Sequence, residues 1–177
     1  MIDVCIPEGA LAPDAEARLM CELTEILLRH EGLDPASERA LGVSLIFLLR
    51  PTVYVAGAPA SAPRYRVIPT VPEGQYGRGA RGSLVHDVTA AFARAEGRSV
   101  TDVAARVWVF PTEMPDGNWG SRGVIRTLGD ILEYMVGEHA RPEAASKLSM
   151  SRSRRARALF AALLDAHPEG GHDGPVA

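Results

Sequence analysis

The chain has 177 residues, 46% of them hydrophobic and 23% charged, with a net charge of −3. This is the composition of an ordinary folded soluble domain, and it gives no global pull toward nucleic acid or an anionic membrane. Cys5 and Cys21 lack metal-ligand spacing and fit a reduced, cytoplasmic setting; no basic leader or bilayer-length apolar run is present.

Ile2, Val4 and Ile6 alternate with Asp3 and Cys5, which predicts a half-buried strand ended by Pro7-Glu8-Gly9. Pro13 opens a helix where its missing N–H costs nothing. Leu19, Leu23, Ile26 and Leu27 give that helix an apolar face, and Gly32 closes it. A second strand is predicted over 41–49, with an extended continuation over 52–55, and 56–63 reads as a small-residue linker. The plan then recurs: a strand over 65–71, a helix over 83–96 with Ser83 as N-cap and Gly97 behind it, and a strand over 105–110. A Gly-rich stretch at 116–123 precedes predicted helices over 125–136 and 142–166, and 167–177 reads as a frayed end. Arg152, Arg154, Arg155 and Arg157 fall on the last helix. Without aromatic interleaving they read as a solvated or subunit-facing surface rather than a nucleic-acid contact.

The recurrence is written in the residues. Shifted by 65 positions, Pro7, Glu8, Gly9, Ala15, Leu19, Thr24, Arg29, Glu31 and Gly32 land on Pro72, Glu73, Gly74, Ala80, Leu84, Thr89, Arg94, Glu96 and Gly97. Nine identities in positions 7–32 compare with roughly two expected by chance. Two βαβ units follow, each with parallel strands. Within the second lies GRGARG, residues 77–82, the spelling of a dinucleotide turn. Such a turn needs its first glycine at a strand end, whereas here Pro72 to Tyr76 intervene.

The repeat, the Glu-Gly turn before each helix and the segment VWVFPTEMPDGNW (107–119) together resemble the tautomerase superfamily. The likeness extends to its two-unit members, the malonate semialdehyde decarboxylases and cis-3-chloroacrylic acid dehalogenases, and spans about 1–132. It implies an α+β fold in which the tandem βαβ repeat forms a four-stranded mixed sheet backed by two helices, assembled as a homotrimer. One domain would cover 1–137, with repeat units at 1–57 and 64–123, and a helical extension and tail would occupy 138–177. It also implies acid–base chemistry on small keto or unsaturated acids, with an amino-terminal proline as base or acid, arginines on a carboxylate, and no cofactor.

The sequence departs from that pattern at residue 2, which is Ile rather than Pro. A side chain that large blocks removal of the initiator Met, leaving the primary amine of Met1. Such an amine titrates near 8 and becomes a usable base once partly desolvated. Positions where the family places its arginines hold Val71 and Glu73, or Pro72 and Gln75. The candidate catalytic groups are therefore Met1 and Glu38, the latter matching an active-site acid in the decarboxylase-like loop. Arg66, Arg78 and Arg81 are the candidate carboxylate grips, and the resemblance implies Phe110 and Trp119 as the apolar wall. The five histidines show no ligand spacing, so no metal is expected. Two functions stand side by side: a proline-less isomerase, cyclase or lyase acting on a small carbonyl or carboxylate compound, and a silent trimeric binding or scaffold protein. Convergence of Arg66, Arg78 or Glu38 on an apolar cavity near residue 1 favours the first; side chains splayed to solvent favour the second.

Overall fold

The computed structural model describes residues 1–166; the end at 167–177, predicted to fray, lies outside the described residues. The first unit runs through β1 (Ile2–Cys5), α1 (Pro13–His30), a one-turn helix α2 (Glu38–Leu41) and β2 (Ile46–Leu49). A hairpin of β3 (Tyr54–Val55) and β4 (Ala58–Pro59) leads to the second unit: β5 (Tyr65–Pro72), α3 (Ala80–Glu96), α4 (Val100–Ala104), β6 (Val107–Val109) and β7 (Thr112–Met114). A further hairpin, β8 (Trp119–Ser121) and β9 (Val124–Arg126), precedes α5 (Leu128–Met135) and the long helix α6 (Glu143–Ala166).

β1 lies parallel to β2 and antiparallel to β5, which in turn runs parallel to β6 and β7. Because β6 and β7 pair with successive stretches of β5, the sheet is four strands wide, in the order β2-β1-β5-β6. This is the mixed α+β arrangement the repeat implies. Apolar side chains alternate on the strands, so Ile2, Val4, Ile6, Val67 and Val71 meet Leu19, Leu23, Ile26, Leu84, Val88 and Phe92 from α1 and α3 in one core. Tyr65 packs its ring 4.6 Å from that of Phe92 and donates its hydroxyl to Glu96 at 2.7 Å. Arg106 grips the same carboxylate with two nitrogens at 2.7 and 2.6 Å, and this holds Glu96 below the usual carboxylate range.

Local chemistry shortens several predicted elements. The 41–49 strand begins only at Ile46, because Ser37 caps a helical turn by accepting from the Ala40 amide. The 56–63 linker contains β4, since Ala56 and Gly57 adopt the positive φ values that close a tight hairpin. α3 starts at Ala80, and Ser83 sits inside it, donating to the Ala80 carbonyl rather than capping. The 105–110 strand shrinks to Val107–Val109, because Ser99 caps the short helix before it. α5 starts at Leu128, fixed by a Thr127–Asp130 capping box, and Ile125 belongs to β9.

The arginine run of α6 is exposed, but two of its members are also spent on ion pairs within the chain. Arg152 and Arg155 reach Glu73, and Arg155 also reaches Glu113 at 2.7 Å, where Arg81 arrives from the other side at 2.5 Å. The carboxylate side chains are 5% and 2% exposed, so these pairs anchor the helix against the second Pro-Glu-Gly turn. Gly74 (φ +89) makes the approach possible: a Cβ there would lie 3.1 Å from the Lys147 backbone carbon.

Candidate active site

The start of β1, the 43–45 segment, the β8–β9 hairpin and α5 enclose a cavity of about 600 Å³. Its floor holds two ionisable groups. The amino group of Met1 donates to the Thr70 carbonyl at 3.3 Å, and Glu31 caps the C-terminal end of α1 with its side chain buried. Burial pulls the Met1 amine below its usual 8, partly offset by the negative charges of Glu31 and Asp3. Burial pushes Glu31 up to about 7, partly offset by the Met1 ammonium, a hydrogen bond from Gln75 and the charge of Lys147. A carboxylate at a helix C-terminus also meets the negative end of the helix dipole, which disfavours its charged form.

From Glu31 a chain of contacts runs outward. Gln75 Nε2 donates to Glu31 Oε2 at 3.5 Å, and Lys147 Nζ, reaching in from α6, donates to Gln75 Oε1 at 3.1 Å. Burial lowers the proton affinity of the amine and raises that of the carboxyl, so the two are drawn toward each other. Such a pair can take a proton from one atom of a bound molecule and return one to another.

The hairpin supplies the walls. Trp119 on β8 stands opposite Arg126 on β9, and Arg122 occupies the turn with its guanidinium 5.4 Å from the ring centroid of Tyr134 on α5. The Arg126 side chain has no hydrogen-bond or ion-pair partner among the described residues. An unpaired guanidinium beside an apolar wall is suited to hold a carboxylate.

Of the seven candidates from the sequence, only Met1 and Trp119 line this cavity. Glu38 is exposed at the first turn of α2. Arg66 is exposed and donates to the Cys5 sulfur at 3.4 Å. Phe110 is exposed, with its ring stacked 6.5 Å from Trp108. Arg81 is committed to Glu113, and Arg78 lines a different cavity. The residues that sequence reading missed are Glu31, Gln75, Arg122 and Arg126. One signal was present: Glu31 is an acid at the wrong end of a helix, repeated at Glu96. Among the described residues no group of His, Cys, Asp and Glu is arranged to hold a metal ion, and no helix is long and apolar enough to cross a membrane.

No protein-family model matches the sequence, and no curated protein matches it either. Solved structures do match the fold. A fused 4-OT symmetric trimer is 19% identical, with a TM-score of 0.55 over 70% of this chain and 94% of that one. A protein called Pt0534, solved after inactivation by 2-oxo-3-pentynoate, is 16% identical, with a TM-score of 0.53 over 70% and 94%. A macrophage migration inhibitory factor-like protein from Entamoeba histolytica is 12% identical, with a TM-score of 0.54 over 71% and 96%. The fold is therefore the one shared by tautomerases and macrophage migration inhibitory factors, with α6 added to it.

Proposed function

We propose that this chain is a cofactor-independent acid–base enzyme of the tautomerase superfamily that works without the amino-terminal proline. It isomerises, cyclises or cleaves a small enolisable carbonyl compound bearing a carboxylate. The two-unit likeness to malonate semialdehyde decarboxylases and cis-3-chloroacrylic acid dehalogenases supports a kinship with the family's longer members. The observation that carries the reading is the Met1 amine and Glu31 carboxyl buried together on the floor of one cavity.

The chemistry balances within that pair. Arg126 holds the substrate carboxylate, with Arg122 also in the cavity lining, and Trp119 and Tyr134 shield the reacting carbon from water. The neutral Met1 amine takes the proton from the carbon next to the carbonyl, and the C–H electron pair becomes the enolate. Where a neighbouring double bond extends the enolate to a dienolate, protonated Glu31 delivers a proton to its far carbon, the double bond shifts, and Glu31 is left as a carboxylate. The Met1 ammonium then returns its proton to Glu31 and the site is reset. Burial favours the neutral form of both groups, which is the resting state this cycle starts from and returns to.

The test is proton exchange at the 3-position of small 2-oxo acids in D₂O, followed by NMR, on protein whose intact mass shows Met1 as the free terminus. The wild type should catalyse exchange. Glu31→Gln and protein acetylated at Met1 should each lose it by at least a hundredfold, as expected for removing a general acid or base. Exchange undiminished in both would end this reading.

A second reading has its own support. Glu38, Arg66 and Phe110 do not converge on the cavity but point to solvent, as in a trimeric binding protein without turnover. Binding of 2-oxo acids without exchange in the wild type would favour it. In either case we take the assembly to be a homotrimer. The fused 4-OT structures are trimers, and the helix-free face of the sheet exposes Phe47, Leu49 and Trp108.

A further inference from the structure

A second cavity of about 620 Å³ also has Glu31 in its lining, but not Met1. Three cationic side chains from two parts of the chain meet there: Arg78 from the glycine loop, and Lys147 and Arg154 from α6. Their pairing differs sharply from that of their neighbours. Arg81, Arg152 and Arg155 are all neutralised by Glu73 or Glu113. Lys147 instead spends a donor on the neutral oxygen of Gln75, and Arg154 donates to the Tyr76 carbonyl at 3.2 Å. Arg78 has no hydrogen-bond or ion-pair partner among the described residues. Of the other ionisable lining groups, Arg29 is paired with Glu25 at 3.6 Å and His30 with Asp87 at 2.9 Å. Glu31 is the one acid in the lining, and it is shared with the cavity that holds the amine.

Positive charge left uncompensated in a concavity repels itself, and an anion relieves that repulsion. The loop adds neutral donors. α3 starts from Gly79 with no side-chain cap and no acid in its first turn, so nothing else neutralises that end of the helix. We propose that this cavity is a second ligand site, for a small phosphate-bearing anion held by Arg78, Lys147 and Arg154. A phosphate presents oxygens in several directions at once, which suits three cations arriving from two elements better than a single planar carboxylate does. The volume leaves room for a small group esterified to the phosphate. Occupancy reaches the amine cavity through contacts already present: Lys147 bonds Gln75, and Gln75 bonds Glu31. A bound dianion that engages Lys147 weakens the hold of that lysine on Gln75 and favours the protonated form of Glu31.

Isothermal titration calorimetry on the full chain in low-salt buffer tests this, with inorganic phosphate and glycerol phosphate as probes. Saturable one-site binding by the wild type is expected, weakened at least tenfold by Arg78→Ala and by Lys147→Met. Arg126→Ala, in the other cavity, should leave the affinity unchanged. Tighter binding of glycerol phosphate would identify the ligand as a monoester, and tighter binding of inorganic phosphate would identify the free ion. Heats that never saturate and merely follow ionic strength overturn the proposal. So does affinity that ignores Arg78→Ala, or that falls equally with Arg126→Ala. Arg78 has no partner to lose, so its variant keeps the test decisive even if the Lys147 variant folds poorly.

Discussion

Replacing Glu31 by Gln isolates the charge on the cavity floor while keeping its size and hydrogen-bonding shape. The ordinary carboxyl value is 4.5, and burial raises Glu31 to about 7 in the folded protein. A group whose folded value is raised binds its proton more tightly when folded, so it stabilises the fold at low pH. That contribution is complete below 4.5 and is lost as pH rises through about 7. The gap at about 1.4 kcal/mol per pH unit amounts to about 3 kcal/mol. The amide of the Glu31→Gln variant has no proton to lose, so the stability of the wild type relative to that variant should fall by about 2–3 kcal/mol between pH 5 and pH 8.5. Glu73, Glu96 and Asp87 titrate in the opposite direction, but they are present in both proteins and cancel in the difference. Urea unfolding at the two pH values reads the effect directly. A difference between the two proteins that does not change with pH would mean that Glu31 titrates like a surface acid, and the proposed proton pair would fail with it.

Other perturbations probe how the extension is held and what the core contributes. Gly74→Ala forces a Cβ to within 3.1 Å of the α6 backbone at a positive φ, so a loss of about 2–3 kcal/mol is expected in thermal unfolding. Arg152→Ala combined with Arg155→Ala leaves Glu73 with no cationic partner and Glu113 with Arg81 alone. Limited proteolysis should then cut α6 much faster than in the wild type, and an unchanged cleavage rate would show that the helix is held by other contacts. Phe92→Ala removes a fully buried ring that packs on Tyr65, and should cost about 3–5 kcal/mol by urea unfolding.

Strand and helix periodicity reads out the two units because each is regular enough to announce its buried face: Ile2 and Val4 on β1 with Ile6 just beyond it, Leu19 to Leu27 on α1. Short capped turns were harder to see. Ser37 and Ser99 each start a short helix just before a predicted strand, in stretches periodicity leaves unassigned, and Thr127 starts one inside a longer predicted helix, because a single side-chain cap decides the outcome there. The site was legible at Met1, where chain position marks the group, and at Trp119. The rest depends on long-range placement. Arg126 reaches the cavity only because β8 and β9 fold back on each other, and Lys147 reaches Gln75 across 72 residues only because α6 docks on Gly74. Arg78 and Arg81 are three residues apart, yet Glu113 takes one and leaves the other facing a cavity.

The duplicated fold carries its own control experiment. Glu31 and Glu96 are the same position in the two copies, so ancestry gave them the same backbone and the same helix end. In the second copy Arg106 and the Tyr65 hydroxyl close on the carboxylate and make it a permanent anion. In the first copy the strand register and the helix cap before it put Val43 in the place of Arg106, and the neighbour is an amine that can give up its charge. One twin has become a fastener, and the other has kept its proton in play. Grafting the arginine onto the first copy would be the way to turn one into the other.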